Sequence, residues 1–216
     1  MNSGFVKYPI LLLLALLTVS CNRTKKEYYD DGALKSEITI SHGLKNGMAR
    51  WYWPNGVLQM ECNYSDDKIN GPFTRYFLSG KIELQENFTA DKRNGTSICR
   101  DASGYKLIEQ NYCNDSLDGA YREFYPDGTV KIDGQYKHGL YNGTWKYYDS
   151  SGILIGQGEF TLGSGIQRGM TRTGKTTRTI QYKNNLKDGE ETWYNEDGSV
   201  EKVVVYREGK QVIGNR

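Results

Sequence analysis

The sequence predicts an all-β protein, an elongated antiparallel sheet of stacked two-stranded hairpin repeats of about 24 residues each. Three observations predict it. Glycines recur in one series, Gly32, Gly56, Gly80, Gly104, Gly128, Gly152, Gly174 and Gly198, and in a second, Gly47, Gly71, Gly95, Gly119, Gly143, Gly165 and Gly189. Both step by 24 except for a single step of 22, from Gly152 to Gly174 and from Gly143 to Gly165, which one two-residue deletion between Phe160 and Gly165 explains. A third series holds only turn formers: Gly43, Asp67, Asp91, Asp115, Gly139, Gly163, Asn185 and Gly209. Three series in phase mark a solenoid or stacked array.

Each unit holds two strands, about sixteen in all. In the unit from Gly47, the run Met48–Trp53 leads to Pro54-Asn55-Gly56, and Val57–Tyr64 leads to a second turn from Asp67 to Asn70. Asn-Gly and Asp-Gly accept positive φ and signal hairpins. A two-residue turn ending in the glycine fixes the pairing and therefore the faces. Trp51, Trp53, Leu58, Met60, Cys62 and Tyr64 then share an apolar face, as do Phe73, Phe77, Ile82, Leu84 and Phe88, and Tyr121, Tyr125, Val130, Ile132 and Tyr136. The other face sets Arg50 opposite Glu61, Arg122 opposite Asp133 and Lys146 opposite Gln157. It also carries an aromatic column, Tyr28, Tyr52, Tyr76, Phe124, Tyr148 and Tyr194, a candidate binding surface.

Composition agrees: 17 Tyr and 25 Gly against 4 Pro favour short strands and many tight turns. Charge is nearly balanced, 28 Lys and Arg against 26 Asp and Glu, which argues against a nucleic-acid partner. Lys7 followed by the apolar run Ile10–Val19 reads as an export signal, being half the length that spans a bilayer core. Leu17-Thr18-Val19-Ser20-Cys21 resembles the lipobox of bacterial lipoproteins, departing from it at Thr18. That resemblance implies residues 1–20 as a lipoprotein signal peptide, Cys21 as the lipidation site, residues 21–27 as a linker and residues 28–216 as the repeat domain. Asn22 stands where inner-membrane retention signals have Asp, and Arg23, Lys25 and Lys26 stand where surface-export signals have an acidic tract, so the resemblance to lipoproteins implies an outer-membrane anchor facing the periplasm.

The unit Gly143-Thr144-Trp145-Lys146-Tyr147-Tyr148-Asp149-Ser150-Ser151-Gly152 resembles the MORN-repeat variant family. The resemblance covers about residues 28–209 and is specific in the units from Gly47, Gly71, Gly119, Gly143 and Gly189. The units from Gly95 and Gly165 are degenerate, with Arg100 and Met170 in place of the aromatic residue. The resemblance implies an elongated sheet of stacked hairpins and links with membranes and protein partners. Some family members carry an antitoxin label.

Gly169–Thr176 satisfies the P-loop pattern, but that chemistry needs a helix starting at Lys175, and the residues from Lys175 read as a β-branched strand. Arg168, Arg172, Lys175 and Arg178 form a basic hairpin, with Arg172 expected opposite Lys175 and Arg168 close to Arg178. It is a candidate patch for an anionic ligand, weighed against a plain solvated surface. His42 and His138 occupy the same turn position, four repeats apart. Cys62 reads as buried and apolar, and Cys99 and Cys113 as a conceivable disulfide. Asn94-Gly95-Thr96 and Asn142-Gly143-Thr144 read as turns, and neither a catalytic constellation nor a metal or cofactor spacing emerges.

These readings converge on a membrane-anchored, non-enzymatic interaction scaffold of the cell envelope with an envelope protein as partner. The alternatives are an immunity protein neutralising a toxin, and a glycan or cell-wall binding module. Anionic lipid is a further candidate ligand.

Overall fold

The computed structural model describes residues 22–212, and their regular structure is entirely β, in one sheet of 18 antiparallel strands. The strands are β1 (Arg23–Tyr28), β2 (Leu34–Ser41), β3 (Leu44–Tyr52), β4 (Leu58–Ser65), β5 (Lys68–Tyr76) and β6 (Ile82–Thr89). Then come β7 (Lys92–Arg93), β8 (Gly95–Arg100), β9 (Lys106–Cys113), β10 (Ser116–Phe124), β11 (Val130–Lys137) and β12 (Leu140–Tyr148). The chain closes with β13 (Leu154–Thr161), β14 (Ser164–Met170), β15 (Thr176–Lys183), β16 (Leu186–Tyr194), β17 (Val200–Arg207) and β18 (Lys210–Gln211). Each strand pairs with its neighbours in sequence, so the sheet is a continuous meander. β7 and β8 are one strand interrupted at Asn94 and β18 is a stub, which leaves 16 full strands, about the number expected. β1 starts at Arg23, so residues 23–27 belong to the sheet rather than to a linker. Cys21 and the segment read as an export signal lie outside the described residues.

The two kinds of turn alternate. Within each repeat the loop has three residues, not the two expected. In the first full unit the Gly56 N–H donates to the Trp53 carbonyl and the Trp53 N–H to that of Val57, both at 2.8 Å, and Gly56 has φ +80°. This is a type I turn closed by a glycine in the left-handed region. Asn55 keeps a negative φ because its side chain accepts the Val57 N–H at 3.1 Å; Asp31, Asp127 and Asp197 do the same in their units. The extra loop residue is offset by a bulge at Gln59, where pairing passes from Tyr52↔Leu58 to Trp51↔Met60. Arg50↔Glu61, Arg122↔Asp133 and Lys146↔Gln157 therefore pair as the sequence predicts.

Between repeats the turn has two residues, both at positive φ: Asp66-Asp67 at 49° and 65°, His138-Gly139 at 51° and 79°, and six like them. These are type I′ turns, and the third series supplies their second residue. Each non-glycine residue there costs roughly 1–3 kcal/mol in backbone strain, and hydrogen bonds to the preceding turn offset it. The Asp67 N–H donates to the Lys45 carbonyl at 3.0 Å, while its carboxylate accepts the Lys45 N–H at 2.8 Å. Asp91 grips Ile69, and Asp115 grips Arg93, in the same two-bond way. Gly139, Gly163 and Gly209 keep the backbone bond alone. Asn70, Asp118, Asn142 and Asp188 accept the N–H of the first residue in the following turn. Asn142, read as a turn residue, thus sits in a strand and caps the turn beyond it.

The two-residue deletion removes a bulge. Elsewhere the strand after the type I′ turn carries two extra residues, as between Cys62↔Phe73 and Tyr64↔Ile69. β13 and β14 pair without interruption from Gly156↔Gly169 to Thr161↔Ser164. The following turn then reaches one repeat further: Asn185 Oδ1 accepts the Tyr141 N–H and its Nδ2 donates to the Gly139 carbonyl, both at 2.8 Å. Gly163 makes room, since a Cβ there would stand 2.9 Å from the Asn185 backbone nitrogen.

Gly163→Ala should therefore destabilise the protein by about 2–4 kcal/mol, combining backbone strain with a displaced Asn185. Gly174→Ala, at φ +85° with open space around it, should cost about 1–2 kcal/mol from strain alone. Urea unfolding of both variants checks this; equal costs would mean that the contact between turns contributes nothing.

Candidate binding faces

The two faces of the sheet differ in construction. On the apolar face, Trp145, Phe160, Ile180, Cys62 and Ala49 are buried. The aromatic residues cluster around Trp145, whose ring lies 4.6 Å from Tyr141, 5.0 Å from Tyr136 and 5.5 Å from Tyr121, centre to centre. Phe160 and Tyr182 continue the cluster at 5.7 Å. The edge-to-face pairs among these, Trp145 with Tyr136 and Tyr141 and Phe160 with Tyr182, contribute about 0.5–1.5 kcal/mol each beyond area burial.

Glycines outside the repeat series make this possible. Gly134 lies beneath Trp145, Gly158 beneath Phe160 and Gly156 beneath Tyr147; a Cβ at Gly134 or Gly158 would run into the ring. Across the ladder Tyr121 faces Gly134 and Trp145 faces Gly158, so a large side chain is matched by none. In the unit from Gly47 the same pair is Ala49↔Cys62, small against small. Cations also cap rings of this face, Arg93 at 4.0 Å from Tyr112, Lys45 at 4.9 Å from Tyr64 and Lys187 at 4.8 Å from Tyr206. Glu191 is 1 % exposed and held by Lys187 Nζ at 2.6 Å and Arg178 Nη1 at 3.3 Å.

Burial governs ionisation here. The Cys62 thiol is pushed up to about 11 and the Tyr64 hydroxyl to about 12, in both cases chiefly by loss of water. The hydroxyls of Tyr121, Tyr136 and Tyr147 are raised further, again by burial first. Cys62 is buried as read, and Cys99 and Cys113 are free thiols rather than a disulfide.

The opposite face is a ladder of phenols, carboxylates and guanidiniums. The Tyr52 hydroxyl donates to Glu37 at 2.8 Å and the Tyr76 hydroxyl to Glu61 at 2.9 Å, while Arg50 bridges both acids. These are members of the aromatic column, which the structure assembles on one face as expected. Arg100 and Met170 occupy its two missing positions, and the Arg100 guanidinium donates to Gln85 at 2.8 Å. Between Phe124 and Tyr148 the ladder opens into a groove of about 370 Å³ lined also by Val130. Leu58, Ile82 and Val130, expected on the apolar face, instead pair with Tyr52, Tyr76 and Phe124 of this face, because the bulge that follows each of them inverts its parity.

The basic hairpin is not assembled as expected. Arg172 lies within the type I turn and Lys175 follows it opposite Thr171, so the two do not face each other, and Arg172 pairs with Asp149 at 2.7 Å. Arg168 lies opposite Thr179, whereas Arg178 is one residue out of phase with it and turns to Glu191 on the apolar face. The four cations therefore do not share a surface. Asp149 was missed by the sequence reading. The first turn residue reaches the column residue of the next unit where the step is 24, as in Tyr29 to the Tyr52 carbonyl and Tyr125 to that of Tyr148, but the step of 22 puts Met170 at that position and Arg172 beyond it, so the repeat gave no signal for the pair. Gly174 is a turn glycine followed by strand β15, so the P-loop pattern forms no phosphate cradle.

A single sheet whose strands pair only in sequence, joined by two alternating turn types, defines a hairpin-repeat protein. The MORN repeat variant family matches the chain four times, over residues 45–66, 117–138, 141–161 and 187–208. Three of these matches span 22 residues, one hairpin from a type I′ turn to the next. The chain is a MORN-variant repeat protein, of a kind suited to protein or membrane interaction. No curated protein matches it by sequence.

The raised phenols give alkaline pH a defined effect. They are neutral in the fold and ionise near 10 once unfolded, so their stabilisation is complete below about pH 10 and is lost as pH rises towards 12. A spectroscopic titration should show tyrosines ionising late and together with loss of near-ultraviolet dichroism; ionisation at the free-tyrosine position, with the fold intact, would contradict the burial.

Proposed function

We propose that the chain is a membrane-tethered, non-enzymatic interaction scaffold of the bacterial cell envelope, acylated at Cys21. The observation that carries the scaffold reading is the edge of the sheet at β17. Beyond β16, this strand is paired among the described residues only at Tyr206↔Gln211 and Arg207↔Lys210, with one further bond to the Val205 carbonyl. Val200, Val203 and Val205 are 57 %, 45 % and 44 % exposed. A bare strand edge with apolar side chains is the surface on which an extended partner segment adds a strand, gaining main-chain hydrogen bonds and side-chain contacts together. The tether is supported by the lipobox-like residues before Cys21, and β1 begins two residues beyond that cysteine. A lipid there would hold the first hairpin at the membrane surface and leave β17 at the far end of the array.

Replacing Val203 with a photo-crosslinking residue in cells should capture an envelope protein, and the same probe at Ser151, in an exposed turn, should not. Equal or absent labelling at both positions would remove the scaffold reading. Separately, Cys21→Ser should abolish incorporation of labelled palmitate and release the chain from membranes. Undiminished membrane association would remove the tether.

A further inference from the structure

We propose that the groove between Phe124 and Tyr148 binds a single neutral pyranose ring of a glycan, a ligand role beyond the scaffold reading and independent of the tether. Nearer the start of the array the slot between successive column residues is closed: Tyr52 and Tyr76 donate to Glu37 and Glu61, and Arg50 lies across the acids. Two changes open this one. Phe124 has no hydroxyl, and Asp133 stands where the earlier repeats have the longer Glu37 and Glu61, with one oxygen held by Arg122 Nε at 2.9 Å. The Tyr148 hydroxyl is left without a hydrogen-bond partner among the described residues, at the wall of the groove.

The lining selects the ligand. Phe124 and Tyr148 form the walls, with Val130 and Thr129, and Arg122 and Asp133 complete the rim. Lys106 packs 5.3 Å from the centre of the Phe124 ring, and is itself paired with Glu109. Each cation at the groove is thus matched by a carboxylate, so the site holds no unbalanced charge for a phosphate or an ammonium group. What it offers is two aromatic faces, with a hydroxyl, a carboxylate oxygen and guanidinium N–H groups around them. A pyranose ring has the complementary form, with C–H groups on its faces and hydroxyls around its edge. The walls stand two strands apart, ~9.6 Å between backbones. One ring in van der Waals contact with both needs ~8 Å, so a single ring fits and two stacked rings do not. The volume lies at the small end of the roughly 300–1,000 Å³ typical of small-ligand sites.

The test is calorimetric titration of the purified full-length chain with cellotetraose, maltotetraose and tetra-N-acetylchitotetraose, with decaproline as the competing aromatic-groove ligand. At least one of the sugars should bind. Phe124→Ala and Tyr148→Ala should each weaken it by about tenfold or more, while Tyr52→Ala, in a closed slot, should leave it unchanged. Asp133→Glu keeps the charge and gives the Tyr148 hydroxyl a carboxylate within reach, so it should also weaken binding in a folded protein. Failure of all three sugars to bind would overturn the proposal, as would binding of decaproline alone, or sugar binding indifferent to Tyr148→Ala and Asp133→Glu.

Discussion

The hydrogen-bonded contact between successive type I′ turns is the constraint on which this sheet depends. A strand ladder alone fixes neighbours, but it leaves every loop on one margin of the sheet free to fray. Here the second residue of each turn after the first donates its N–H to the turn before it or to the chain leaving that turn, from Asp67 on Lys45 through Asn185 on Gly163 to Gly209 on Lys187. Net values for single hydrogen bonds are about 0.5–1.5 kcal/mol, comparable to the strain of holding Asp67, Asp91 or Asp115 at positive φ. The carboxylate bonds tip that balance, which accounts for aspartate at positions where glycine would be less strained. In a linear array, stability is set by the interface between each unit and the next, and these bonds lie in that interface.

How far the fold could be read from the sequence follows from what leaves a periodic trace. Pairs such as Arg50–Glu61 were legible because two errors cancel: the loop is one residue longer than expected and the bulge at Gln59 removes the difference. Neither feature disturbs the spacing of the glycines. The deletion was legible as a change of step, but its consequence was not, since nothing in the local sequence links Asn185 to Tyr141 across 44 residues. Gly134, Gly156 and Gly158 belong to no series and were passed over, yet they seat the largest rings. The aromatic column was legible from alternation, whereas the groove within it comes from the absence of one hydroxyl and one methylene. The basic hairpin was misread through parity, because Arg168 and Arg178 are neighbours in the ladder on opposite faces.

The same architecture divides the work between surfaces. The apolar face spends its aromatic residues on its own packing around Trp145, where glycines accommodate the rings. The outer face is closed by phenol–carboxylate pairs at Tyr52 and Tyr76 and opens between Phe124 and Tyr148. The valine-rich edge at β17 is the third surface. Variation between otherwise equivalent repeats is what gives a periodic sheet distinct places to bind.

Amide hydrogen exchange resolved by residue tests the turn-to-turn contact most directly. The N–H groups of Asp67, Asp91, Asp115, Gly139, Gly163, Asn185 and Gly209 should be protected to the same degree as amides in the flanking strands. Exchange of these seven at the rate of solvent-exposed turn amides would contradict the account, since the hairpins would then be joined by their ladders alone.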